Sequence, residues 1–433
     1  MQAVPVLGAK RRLGFVQAVS VGLGNIIGAG IFVMAGASIN ASGPGALLAF
    51  GITAVLAVTV GLNTAELSSK YPGLEGGVYS FSKETLGDTM GFLVGWFRLI
   101  AYAVSGAAVA LGFSGYLAGA GVPAYLYYPS AVALILALTF IELGGLKLAS
   151  QMEVGLVLIK LTGLGVLVAF ILTFGSFKPA NFTPLLPYGG LGLLTAANIA
   201  FFAYSGFNTI ATLTPEVNDG ERVVPRAIIA SIVVSTILYV LVVFSLLFAL
   251  NWRSYGVSSN PLSVALTSMG APSAVSYTID FAALAATFAV TLSLLIAGSR
   301  TTKQMGEDGL LPKSLGRGSR FPAALVSAIM IASLGLGNVQ SIALVANFGI
   351  VFSYMLTGLE VAITRRKGAK ARFISPWYPF VQIVAVALSA VLLLSLGLQS
   401  LLLGAATLTV GLVLHLGQRH QTNTRTLERV RSS

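Results

Sequence analysis

The segment Val21–Gly36, VGLGNIIGAGIFVMAG, is apolar enough to enter a bilayer, yet it carries glycine at positions 22, 24, 28, 30 and 36. Each glycine inside a helix costs about 1 kcal/mol relative to alanine. In hydrocarbon, backbone that leaves the helix must find partners in protein or in a water-filled cavity. The segment therefore predicts a membrane helix that unwinds midway and holds something polar there.

The surrounding chain fits that setting. Of its 433 residues 56% are apolar and 9% charged, against about 25% charged in soluble domains. A spanning helix needs about 20 apolar residues. Twelve stretches qualify: 13–40, 45–68, 91–119, 127–146, 151–174, 192–213, 227–251, 276–299, 322–338, 341–363, 377–397 and 400–417. The expected fold class is an all-α polytopic membrane protein. A net charge of +12 would suggest nucleic-acid binding in a soluble protein. Here, of 26 Lys and Arg, only Lys178 and Arg253 fall on one side of the alternating map, and Arg98 and Lys160 lie within spans. The remaining 22, including Lys10–Arg12, Arg365–Lys367 and the tail from Arg419, fall on the other side. The positive-inside rule makes that side cytoplasmic, with both termini there, in a cytoplasmic membrane. No small-residue cleavage site precedes the first span, which is expected to act as an uncleaved insertion signal. With no cysteine, disulfides and thiolate metal sites are excluded.

A second interrupted span lies at Phe201–Pro215, FFAYSGFNTIATLTP, where Ser205-Gly206, Asn208 and Thr209 break an apolar run. It is the sixth span, and the first break is in span one. Two discontinuous helices, each opening a set of five, are the mark of an inverted-topology repeat. The expected organisation is a single transmembrane domain. Residues 13–174 form the first repeat, 192–363 the inverted second, 377–417 two extra helices, and 418–433 a polar, mobile cytoplasmic tail.

A broken helix presents unpaired carbonyls at the end of one half and unpaired N–H groups at the start of the other. These ends carry partial charges near −0.5 and +0.5, so one side of the gap suits an ammonium and the other a carboxylate. A zwitterion satisfies both. No charged residue lies between Arg12 and Glu66, so the backbone must do this work. The alternative is that Gly24 and Gly28 only allow close helix packing; the companion break at Ser205-Gly206 favours a site.

GNIIGAGIF at 24–32, AELSSKYPGLEGGVYSF at 65–81, TPEVNDGERVVPRA at 214–227 and RTTKQMGEDGLLP at 300–312 resemble, in order and topology, the motifs of the amino acid–polyamine–organocation transporters. Asp219-Gly220 stands where that family usually has Asn-Pro. The resemblance implies a fold of twelve helices with a five-plus-five inverted core and discontinuous helices one and six. It implies that the backbone N–H groups of Ala29 and Gly30, beside Gly28, receive a substrate carboxylate. The carbonyls of Ile26 and Ala203 would receive the amine. Phe202 would cover the substrate, and Ser205, Gly206 and Asn208 would line its side-chain pocket. Cation-transporting members can carry an acid near the position of Asn208, and its absence favours a neutral amino acid as substrate. Tyr102 and Ser105 are candidates to reach the same pocket, and Asn347 and Tyr354 to hydrogen-bond at a gate or between helices.

Lys160 lies about ten residues into its span, roughly 15 Å from the membrane surface at 1.5 Å per residue, too deep to snorkel. Within its own helix the nearest acid is Glu153, seven residues away. Ionisable groups at such depth are functional candidates. In sodium-coupled relatives of the fold, sodium sits between spans one, five and eight, and some proton-coupled members resemble this chain in carrying a lysine here. The resemblance implies that Lys160 takes the place of sodium against the carbonyl of Gly24 and a hydroxyl of span eight, from Thr287, Thr291 or Ser293. The expected function is proton-coupled transport of amino acids by alternating access; antiport of amino acids or polyamines without protons, or a fixed structural lysine, is the alternative. Arg98, nearer the cytoplasm, is expected to snorkel or to pair with Glu66.

An enzyme would need nucleophiles, bases or metal ligands at membrane depth. The two histidines, His415 and His420, lie at the end of the last span and in the tail, and no paired carboxylates occur within spans. No enzyme activity and no cofactor are expected, and no filter-like motif suggests a channel. The expected partners are the small-molecule substrate, protons and the lipid bilayer.

Overall fold

Two interruptions, one in the glycine-rich stretch 22–36 and one at Ser205-Gly206, each divide a helix into two halves. The structure, a computed structural model, describes residues 13–71, 74, 77–144, 150–211, 214–368 and 370–432, and for Ala29, 150–154, Pro215 and 417–432 the backbone alone. The cluster Lys10–Arg12 and Pro72, Gly73 and Gly76 of the second motif lie outside the described residues. Helix α1 (Phe15–Ile26) stops at the first interruption, and α2 (Ala29–Ser42) resumes beyond it. After a tight turn at Gly43–Gly45, α3 (Ala46–Lys70) returns, followed by the short α4 (Val78–Leu86). Then come α5 (Asp88–Gly119), α6 (Tyr127–Leu143) and α7 (Ser150–Phe174). The second interruption separates α8 (Gly189–Tyr204) from α9 (Asn208–Ala211). The remainder is α10 (Gly220–Ala249), α11 (Pro261–Ser268), α12 (Ser273–Glu307), α13 (Lys313–Gly316), α14 (Arg320–Ser333), α15 (Val339–Arg366), α16 (Phe380–Leu394) and α17 (Leu398–Ser432).

Among the described residues nine helical stretches are long and apolar enough to cross a membrane. One of them, 30–70, bends at Gly43–Gly45 into α2 and α3. The stretches at 15–26, 320–336 and 380–394 are shorter; the first is one half of an interrupted helix. Several helices outrun their apolar cores. α12 continues to Glu307, where Asp308 receives the hydroxyl of Tyr79 at 2.5 Å and the ammonium of Lys83 at 2.8 Å. The backbone of α17 stays helical to Ser432, through a stretch expected to be a mobile tail. Hydropathy marks where a helix leaves the bilayer, whereas winding continues as long as hydrogen bonds and solvated side chains sustain it.

Small residues let the two interrupted helices touch. A Cβ on Gly30 would lie 2.3 Å from the Cα of Ala203, and one on Gly206 would lie 2.2 Å from the carbonyl oxygen of Asn25. The outer ends of both interruptions are tied as well. Leu13 and Val217 form a parallel bridge, with Leu13 N donating to Glu216 O and Asn218 N to Leu13 O, both at 2.9 Å.

Glu66 is buried at 1% exposure and accepts from Arg365 Nε at 2.8 Å and Nη2 at 2.6 Å. It also accepts from the amide and hydroxyl of Ser375. This joins the end of α3 to the end of α15 and corrects the expected Arg98–Glu66 pair.

Two outcomes follow. The Arg365 side chain is 21% exposed, so removing its carboxylate costs less than the about 3–5 kcal/mol of a fully buried pair. Glu66→Ala still lowers the unfolding midpoint in detergent, and Glu66→Met with Arg365→Met restores much of it; an unchanged midpoint in the single variant contradicts the assignment. Gly30→Ala and Gly206→Ala, whose new methyls meet backbone, lower the unfolding midpoint in detergent, whereas Gly51→Ala and Gly165→Ala, with nothing within 4 Å, leave it unchanged; thermal unfolding measures both sets.

Candidate functional site

The first break is short. Ile27 and Gly28 leave helical geometry, Gly28 at φ −144° and ψ −145°, and α2 begins at Ala29. The amides opening α2 are among those that a helix cannot satisfy internally. The carbonyls closing α1 are held from outside. Gly24 O accepts from Lys160 Nζ at 2.8 Å. Ile26 O accepts from the Tyr239 hydroxyl at 2.5 Å, and that hydroxyl also stands 3.1 Å from Ala203 O. Tyr239 is fully buried, with the rings of Tyr204 and Phe50 at 5.1 and 5.8 Å. One hydroxyl proton is therefore shared between the two carbonyls that the family resemblance gives to a substrate amine.

The second break is tighter than expected. Ser205–Phe207 form one 3-10 turn with right-handed dihedrals on either side rather than an unwound stretch. The Tyr354 hydroxyl donates to Ser205 O at 2.7 Å. Ser205 Oγ donates to Phe202 O and Thr209 Oγ1 to Gly206 O. A 3-10 turn lengthens the helix per residue, and local hydroxyls take up the carbonyls it disturbs.

Between the breaks lies a cavity with about 50 Å³ of room for water-sized occupants, where one water needs about 10–15 Å³. Ile26, Gly28 and Gly30 line it from the first break, Phe202, Ala203, Ser205 and Gly206 from the second, and Tyr102 and Ser105 from α5. The side chain of Ala29 lies outside the described residues. Asn208 does not line the cavity: it stands behind it, beside Tyr354, and its neighbour Thr209 faces in. Asn347 reaches instead to the Asn198 carbonyl.

Lys160 is 2% exposed. Of the three hydroxyls considered for its surroundings, Thr287 and Thr291 are fully buried and donate to their own helix, to Ala283 O and Thr287 O at 2.8 Å. Ser293 faces the central cavity with Val290 and Ala297. A step of 100° per residue puts 293 on a different face from 287 and 291.

Two participants were not foreseen. Tyr239 gives no signal in a sequence, being one of 14 tyrosines in an ordinary apolar helix. Arg98 neither snorkels nor meets Glu66. It is 4% exposed, lines the cavity, and donates from Nη2 to the Tyr102 hydroxyl at 2.5 Å. Its guanidinium carbon lies 4.4 Å from the centre of the Tyr102 ring and 5.3 Å from that of Tyr354.

Similarity to known proteins bears on this geometry. The amino acid permease family model matches residues 17–410. The chain is 30% identical over 434 residues to the branched-chain amino acid permease BcaP of Bacillus subtilis (strain 168), covering 94% of this chain and 92% of that protein. It is 32% identical over 391 residues to the methylthioribose transporter of the same organism, covering 84% of each. It is 28% identical over 386 residues to the human cationic amino acid transporter 4, covering 82% of this chain and 60% of that protein. A family match across both interrupted helices and nearly all of the chain makes this protein a member of the amino acid permease family, within the amino acid–polyamine–organocation superfamily.

Proposed function

We propose that this protein is a secondary carrier of small α-amino acids, working by alternating access across a cytoplasmic membrane and coupled to protons through Lys160. The observation that carries the reading is the hydrogen bond from Lys160 Nζ to Gly24 O, two residues before the end of α1. A protonated lysine makes this a charge-assisted bond, about twice as strong as a neutral one. Loss of the proton loosens the tether on α1 and lets its cytoplasmic half swing. The cavity beyond it offers amides at the start of α2 for a carboxylate and the carbonyls of Ile26 and Ala203 for an amine. Permeases named for amino acids among the relatives support the substrate class.

In this reading the chain crosses the membrane twelve times. The first five crossings are α1 with α2, α3, α5, α6 and α7. The inverted second five are α8 with α9, α10, α12, α14 and α15. α16 and α17 complete the set, and both termini are cytoplasmic. Tyr239 sits where an incoming ammonium must displace its proton from Ile26 O or Ala203 O, so substrate entry and the state of the two interrupted helices are linked through one hydroxyl.

Purified protein in liposomes tests the coupling. Uptake is expected to rise with an imposed inward proton gradient and to be indifferent to sodium. Lys160→Gln loses the response to the gradient by about tenfold, within the 5–150-fold range of coupled sites, while retaining binding measured by thermal shift. Uptake that ignores pH and follows sodium, or that needs only a counter-substrate, overturns the proton role.

A further inference from the structure

We propose that Arg98 makes the central cavity selective for amino acids with an anionic side chain. The proposal rests on the reading of the cavity as an amino acid site and deepens it. Arg98, Tyr102, Ser105 and Val109 follow one another on the same face of α5, at steps of four, three and four, and all line the cavity. Arg98 is thus a wall of the site, at its cytoplasmic end in the proposed topology.

A guanidinium cannot escape burial by giving up its proton. It needs a counter-charge, and the protein supplies none: among the described residues no carboxylate lies within 4 Å of it, and each ion pair found there involves other cations. The faces of Tyr102 and Tyr354 offset part of the cost. A guanidinium carries five donors, and the partners Arg98 has for them in the protein are two tyrosine hydroxyls, those of Tyr102 and Tyr354. Arg98 itself lines the cavity, and none of its nitrogens is sealed in protein without a partner, so two tyrosines leave donors to spare for a ligand there.

The rest of the lining contains hydroxyls and an amide, from Asn25, Ser105, Ser205, Thr209 and Ser293, but no acid. The site therefore carries a fixed single positive charge. The zwitterion's own charges are matched by the helix ends at the first break, which leaves Arg98 for the side chain. A side-chain carboxylate neutralises it through a pair of parallel N–H···O bonds. A side-chain cation about 6 Å away, at an effective dielectric near 20, is disfavoured by about 100-fold. The expectation of a neutral substrate, drawn from the lack of an acid near Asn208, is thereby revised: the missing acid disfavours cations, and Arg98 favours anions.

The test is a thermal-shift and counterflow series with glutamate, aspartate, glutamine, leucine and arginine at pH 7, on the unaltered protein and on Arg98→Gln and Arg98→Lys. In the unaltered protein glutamate or aspartate is expected to bind at least about tenfold tighter than glutamine, with arginine weakest. Arg98→Gln is expected to erase or reverse the order of glutamate and glutamine, and Arg98→Lys to keep it. A preference for leucine or glutamine in the unaltered protein overturns the proposal without touching the amino acid reading, and needs no variant to fold. A uniform weakening of every amino acid in Arg98→Gln also overturns it, because Arg98 would then serve the shared carboxylate. Failure of every amino acid to bind would sink the broader reading along with it.

Discussion

A peptide group inside a membrane has no water to turn to, and the break between Ile26 and Ala29 leaves several such groups without their helical partners. Everything around the break serves them. The Lys160 ammonium takes the carbonyl of Gly24, and the Tyr239 hydroxyl bridges those of Ile26 and Ala203. On the far side Tyr354 takes the carbonyl of Ser205. These side chains come from α7, α10 and α15, so three separate helices are committed to holding two interruptions. The amides that open α2, which a helix cannot satisfy internally, are the complementary pole, and they are what a carboxylate would use.

That arrangement works only if the interrupted helices approach closely. Gly30 against Ala203 and Gly206 against Asn25 bring backbone to backbone, and the bridge from Leu13 to Val217 ties the segments outside them. A small cavity results, with both breaks in its wall. Side chains then decide what fits: Phe202 and Ile350 supply apolar surface, Tyr102 and Ser105 supply hydroxyls, and Arg98 supplies charge. The Glu66–Arg365 pair keeps the C-terminal ends of α3 and α15 together.

Much of this was legible in the chain itself. Glycine crowding at 22–36 marked the first break, because the cost of glycine in a helix is local and can be read residue by residue. Lys160 was conspicuous because its depth alone makes it anomalous. The ordered motifs pointed to the family that the comparison then showed. What escaped were partners chosen by the fold. Tyr239 meets Ile26 across 213 positions, and Arg365 reaches Glu66 across 299, so no spacing rule links them. Arg98 was misread for the same reason: with Glu66 assigned to the wrong cation, the arginine needed no other explanation. The second break was overestimated because Ser205-Gly206 permits unwinding, while the neighbouring hydroxyls and Tyr354 make a single tight turn sufficient.

The central claim is that main-chain groups at the first break hold the backbone of an amino acid. A cryo-electron microscopy map of the protein saturated with its tightest-binding amino acid tests it most directly. The account predicts ligand density in the cavity, with its carboxylate on the amides that begin α2 and its amine on Ile26 O or Ala203 O in place of the Tyr239 hydroxyl. Ligand seated elsewhere, with the Tyr239 bonds undisturbed and the amides of α2 facing empty space, would contradict it.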